Sequence, residues 1–144
     1  FCSDREGNYD IFQADIPEGY DEFSFLSADT VWAVEKNSIL SSGADDKCPF
    51  INGRELVFAS NRPGGFGGYD LYYSRRENDT WTAPKNFGEK INTSSDEYRP
   101  IVLMVSGFIN ELLIFSSNRP GGNGGFDLYY TGIPAWTMEE FKPE

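Results

Sequence analysis

An internal repeat constrains this chain more than any other feature. Residues 55–73 read ELVFASNRPGGFGGYDLYY and residues 111–130 read ELLIFSSNRPGGNGGFDLYY; Arg62 and Arg119 stand 57 positions apart, as do Asp70 and Asp127. A worn third copy, FCSDREGNYDIF, opens the chain. In it Arg5 lies 57 before Arg62, while Asp10 lies 60 before Asp70, because its Gly-rich loop is three residues shorter. A second shared element runs from Trp32 to Pro49 and again from Trp81 to Pro100. A self-similar period of this length means stacked units, each too small to bury its own apolar face.

Each unit reads as an apolar strand ending in Ser-Asn-Arg or Ser-Asp-Arg, a Gly-rich turn, a strand Asp-Leu-Tyr-Tyr or Asp-Ile-Phe, a Trp segment and an acidic turn. That is about four strands per unit. No convincing 3.6-residue periodicity competes with them, and the 16% aromatic content with 15 Gly and 8 Pro suits short strands between tight turns. The reading is all-β, with strands at the density of propeller blades. The chain divides into a degenerate unit over 1–50, a unit over 51–107 and a partial unit over 108–144, all one domain. At 57 residues per unit the chain holds about 2.5 units, fewer than the 4 to 8 that close a ring. The expectation is a partial propeller completed by blades from a longer parent chain or from another chain.

The string from Phe58 to Tyr73, with Trp81, Pro84, Ile91-Asn92-Thr93 and Asp96-Glu97, resembles the WD40-like, TolB-type β-propeller repeat of bacterial periplasmic and outer-membrane-associated proteins. That family includes propellers joined to OmpA-like domains. The likeness is strong in the second and third motifs and weaker over residues 1–50. It is lacking where Trp136 is followed by Thr137-Met138-Glu139 in place of Ala-Pro. The resemblance implies a cell-envelope location, the periplasm or outer membrane of a Gram-negative bacterium, and a protein partner there.

Composition narrows the function further. With no histidine, the chain lacks the usual imidazole base, the commonest metal ligand and the standard Ser-His-Asp triad. A net charge of −11 repels nucleic acid and acidic membrane faces. No run of about 18 apolar residues occurs, so no direct membrane insertion of this segment is expected. The chain begins at Phe1 with no targeting signal ahead of it, which reads as a processed or partial chain. Two cysteines support neither a disulfide framework nor a four-thiolate site. Alignment places Cys2 at the position of Ala59 and Ser116, and Cys48 at that of Arg99, on neighbouring units. A Cys2–Cys48 bridge would suit a periplasmic protein, and a small buried thiol at Cys2 fits as well.

The motif residues read first as scaffold. Gly64, Gly65, Gly67 and Gly68, like Gly121, Gly122, Gly124 and Gly125, permit backbone conformations that side chains resist. Their order resembles calcium-binding Gly-Gly-x-Gly-x-Asp arrays, but it carries one glycine too many and does not recur every nine residues, so no metal or other cofactor is expected. Asp10, Asp70 and Asp127 can accept hydrogen bonds from the Gly-loop amides or pair with Arg5, Arg62 and Arg119, which follow Asn61 and Asn118 in the complete motifs. A catalytic residue need occur only once, whereas a constraint on every unit recurs in every unit. Trp32, Trp81, Phe58, Phe115, Leu71, Leu128, Tyr72 and Tyr129 are expected in the core. Asp45-Asp46 and Asp96-Glu97 are expected in solvent, available to a basic partner or as a carboxylate pair for glycoside hydrolysis. Ser27–Trp32 half-resembles a sialidase aspartate box but lacks its glycine, and the sequons at Asn78 and Asn92 read as turns. No Gly-x-Ser-x-Gly elbow, Walker loop or zinc signature is present. The reading is a non-catalytic binding and scaffolding module; the alternative is a carbohydrate-active or peptidase-associated propeller acting at its central mouth.

Overall fold

A computed structural model describes residues 1–135, so the departure from the repeat at Trp136–Glu139 lies outside the described residues. The described chain is all-β with one short helix, and every strand pairs antiparallel. Strands β1 (Cys2–Ser3), β2 (Asp10–Gln13) and β3 (Glu35–Lys36) form the first sheet. The second holds β4 (Asp46–Asn52), β5 (Glu55–Ser60), β6 (Asp70–Glu77) and β7 (Thr80–Trp81), with β8 (Lys85–Asn86) also on β6. The third holds β9 (Glu97–Leu103), β10 (Asn110–Ser117) and β11 (Asp127–Pro134). The second and third sheets open at the acidic pairs, ahead of the unit boundaries read from sequence at 51 and 108.

Local chemistry explains the turns. The β6–β7 hairpin closes through Asn78 and Asp79, both at positive φ, the pair of left-handed residues that a tight two-residue turn needs. In β4 and β9 the register slips by one residue, so that two residues oppose one on the partner strand. The extra residue takes positive φ at Cys48 (54°) and Arg99 (52°), each just before a proline, so the two bulges are one structural position repeated.

The core is two apolar layers between three sheets. Ile11 and Leu40 of the first unit meet Leu56, Phe58 and Tyr72, with Trp81 packed beside them. Val57, Ala59, Leu71 and Ile91 of the second meet Val102, Leu113, Phe115 and Ile133 of the third. Strand alternation explains the division: Phe58 faces the preceding sheet and its neighbours Val57 and Ala59 face the following one.

Between β2 and β3 the chain departs from the repeat. The stretch from the motif Asp to the Trp is 22 residues in the first unit and 11 in the second. The extra length holds α1 (Glu22–Ser27), which starts at a reciprocal cap between Asp21 and Ser24. Sequence periodicity did not reveal it, because six residues are less than two turns. Trp32 folds this excursion: its ring stacks on Phe25 at 4.6 Å and meets Tyr20 edge-on at 5.1 Å, and its Nε1 donates to the Phe25 carbonyl.

Candidate functional site

The arginine of each motif lies over an aromatic pair of its own unit: Arg5 over Phe1 and Phe12, Arg62 over Phe58 and Tyr72, Arg119 over Phe115 and Tyr129. In the two complete motifs the guanidinium also makes three hydrogen bonds through Nε and Nη2. Arg62 donates to Ser60 Oγ, the Leu40 carbonyl and Asp46 Oδ1 at 3.0, 2.8 and 2.6 Å. Arg119 donates to Ser117 Oγ, the Ile91 carbonyl and Glu97 Oε1 at 3.1, 2.8 and 3.0 Å. Each arginine thus ties its own sheet to the segment arriving from the preceding unit.

Of the two partnerships expected for the motif aspartates, the Gly-loop amides are found at Asp70 and Asp127, and no motif arginine pairs with a motif aspartate among the described residues. Asp70 accepts from the Phe66 and Gly67 amides and from Asn86 Nδ2, and Asp127 from the Asn123 and Gly124 amides, while Asp10 pairs with Lys36 at 2.6 Å. Nor do the acidic turns lie wholly in solvent. Asp46 and Glu97 are fully buried, because Arg62 and Arg119 neutralise them and Ser42 and Thr93 each donate an amide and a hydroxyl. The one available signal was that an acidic pair precedes an Asn-Arg pair in both complete units.

Asn61 and Asn118 complete the clasp. Their side-chain oxygens accept from the Asp45 and Asp96 amides at 2.8 Å. The carboxylates of Asp45 and Asp96 in turn accept from the Tyr9 and Tyr69 amides, and the Asp46 and Glu97 amides donate to the Tyr9 and Tyr69 carbonyls at 2.6 Å. The acidic pair is therefore a hook by which each sheet grips the aromatic residue ahead of the preceding unit's motif Asp.

Along this hook runs a ladder of rings. Lys47, directly after the first acidic pair, lies 4.3 Å from the Tyr9 centroid and 5.0 Å from that of Tyr69, and its ammonium meets Asp45 and Tyr69 Oη at 2.8 Å. Tyr98, the equivalent residue one unit on, meets Tyr69 at 5.2 Å and Phe126 at 6.5 Å. The ammonium of Lys47, the Tyr9 amide and the Tyr69 hydroxyl hold the Asp45 carboxyl down at about 2. Burial pushes the Tyr98 phenol up to about 12 and also raises the Cys48 thiol. Cys2 and Cys48 are both free thiols, on β1 and β4, which pack together.

Of the residues expected in the core, Phe58, Phe115, Leu71 and Tyr72 are buried, and Trp81 and Tyr129 pack at the margins. Leu128 is the correction: it is 78% exposed, because among the described residues no sheet covers that face of β11. Trp32 packs on the excursion instead of between sheets. Of the eight glycines in the two complete loops, Gly64 and Gly121 alone take positive φ, at 92° and 97°. Gly65 and Gly122 are needed because a Cβ would strike the motif Asp, and Gly67 and Gly68 because the next unit's acidic turn passes against them. Among the described residues no group of three His, Cys, Asp or Glu side chains is gathered as a metal site would require.

A groove of about 560 Å³ is lined by Tyr69, Asp96, Tyr98, Arg99, Ser116, Phe126 and Leu128. It holds one carboxylate, Asp96, which the Tyr69 amide and Asn118 already engage. No family model, curated protein or solved structure matches the chain.

Proposed function

We propose that the chain is a non-catalytic binding and scaffolding module, a run of β-propeller blades that engages a protein partner in the bacterial cell envelope. The observation that carries this reading is the excursion between β2 and β3. It is the part of the first unit without a counterpart in the second, and it is internally braced by Trp32. Yet it holds Phe23 and Leu26 at 80% exposure and Val31 at 100%. Large apolar side chains left exposed within one short ordered segment point to an interaction site. The charges within residues 14–34 are all acidic (Asp15, Glu18, Asp21, Glu22 and Asp29), so the partner surface is basic with an apolar centre.

The hydrolytic alternative lacks comparable support. Glycoside hydrolysis needs two carboxylates free to flank one bond, and Asp46, Asp70 and Glu97 are committed to holding the fold. The test places a photo-crosslinking amino acid at Phe23 in envelope-localised protein. One discrete protein adduct is expected, lost when Leu26 and Val31 are both replaced by Asp. Absence of any adduct, or turnover of a glycan or peptide by the purified chain, would overturn the reading.

A further inference from the structure

The two sheet interfaces repeat one geometry, and the outer face of the third sheet presents that geometry unfilled. Leu71 is fully buried beneath the third sheet, whereas its counterpart Leu128 is 78% exposed and Tyr130, the counterpart of half-buried Tyr73, is 79% exposed. The backbone repeats the same contrast. The Tyr9 and Tyr69 amides each donate to an aspartate of the next unit, and their carbonyls each accept from the next amide along; the Phe126 amide and carbonyl meet no such partner among the described residues. A Cβ on Gly67 would overlap the Ser95 carbonyl and one on Gly68 the Asp96 carboxylate, while Gly124 and Gly125 have open space.

We infer that the face formed by Phe126, Leu128 and Tyr130 is a socket for one further sheet of this same repeat. The incoming first strand is defined by what fills the two existing sockets: an acidic residue to accept from the Phe126 amide, then a residue whose own amide donates to the Phe126 carbonyl. A lysine or an aromatic follows, to lie against the Phe126 ring as Lys47 does against Tyr9 and Tyr98 against Tyr69. Apolar residues in the places of Val102 and Leu113 cover Leu128. Continuity with the two interfaces already formed commits the socket to this occupant. The inference rests on packing between units and is independent of the surface around Phe23.

The repeat spacing sets the test, because Pro134 and Glu77 are 57 positions apart. A chain of residues 1–134 followed directly by a second copy of 78–134 carries one more unit in register. With Cys2 and Cys48 replaced by Ser and Leu128→Cys as the single thiol, maleimide labelling of the extended chain is expected to slow about tenfold or more relative to the 144-residue chain, as for a side chain released only by local opening. Tyr98→Asp in the appended copy alone should restore fast labelling. Equal labelling rates in the two chains, whether the appended copy resists protease or not, would overturn the inference. So would labelling of the 144-residue chain that slows with concentration alongside dimer formation in sedimentation, since the face would then belong to a second copy of this chain.

Discussion

Identical side chains in this repeat have unequal tasks, and the inequality is measurable. Arg62 and Arg119 compensate fully buried carboxylates, so Arg62→Ala and Arg119→Ala should each cost roughly 3–5 kcal/mol in denaturant unfolding, the penalty of stranding a buried charge. Arg5 lies over Phe1 and Phe12 and bonds Ser3, with no carboxylate partner among the described residues. Arg5→Ala should therefore cost about 1 kcal/mol or less. Asp45 gives a pH signature. Its carboxyl titrates at about 2 in the folded chain against 3.8 for an ordinary aspartate, so its contribution is present above pH 3.8 and is lost as pH falls toward 2. Lys47→Met removes the first cause of that depression, so the wild type should lose more stability than the variant across this window. Urea titrations at stepped pH would show it. Burial raises the Cys48 thiol, so in a Cys2→Ser background it should alkylate more slowly near pH 8 than the same thiol in the urea-unfolded chain.

The Gly-rich turn shows how an element can be read in sequence while its reason is not. Four glycines in a row of five suggest conformational freedom at each, yet positive φ is confined to Gly64 and Gly121. The remaining positions answer to space. Gly67→Ala forces a Cβ into the Ser95 carbonyl and to 2.6 Å from that of Thr93, both main-chain atoms that cannot swing aside. It should destabilise by roughly 1–3 kcal/mol or more. Gly124→Ala, the same motif position one unit later, meets nothing and should stay within about 0.5 kcal/mol. Equal effects in thermal or chemical unfolding would contradict this account of the turn. The bulges at Cys48 and Arg99 were beyond sequence reading for a related reason: neither is a glycine, and their shared conformation emerges only from the register of β4 on β5 and β9 on β10.

In the molecule as a whole, the apolar residues of the repeat sort by whether a sheet follows. Phe58→Ala, in the layer between the first two sheets, should cost about 3–5 kcal/mol, whereas Leu128→Ala should change folding by no more than about 0.5 kcal/mol, as denaturant midpoints would report. Much of this was legible from residues alone. The 57-residue period, the alternation within Glu55–Ser60 and the turn chemistry around Gly64 and Gly121 together specify antiparallel strands in repeated sheets, because these patterns act through local backbone preference and side-chain alternation. Where the buried charges lie was not legible. Asp46 looks like an acidic turn residue until Arg62, 16 positions later, is brought to 2.6 Å from it, and Trp32 looks like core until Tyr20 and Phe25 claim it. Sequence by itself determined the period, the strand class and the lack of histidine chemistry, since each is a property of residue type and order. Only the tertiary structure decided which copy of each motif residue is buried, because burial belongs to the neighbouring unit: among the described residues Leu71 has one and Leu128 does not.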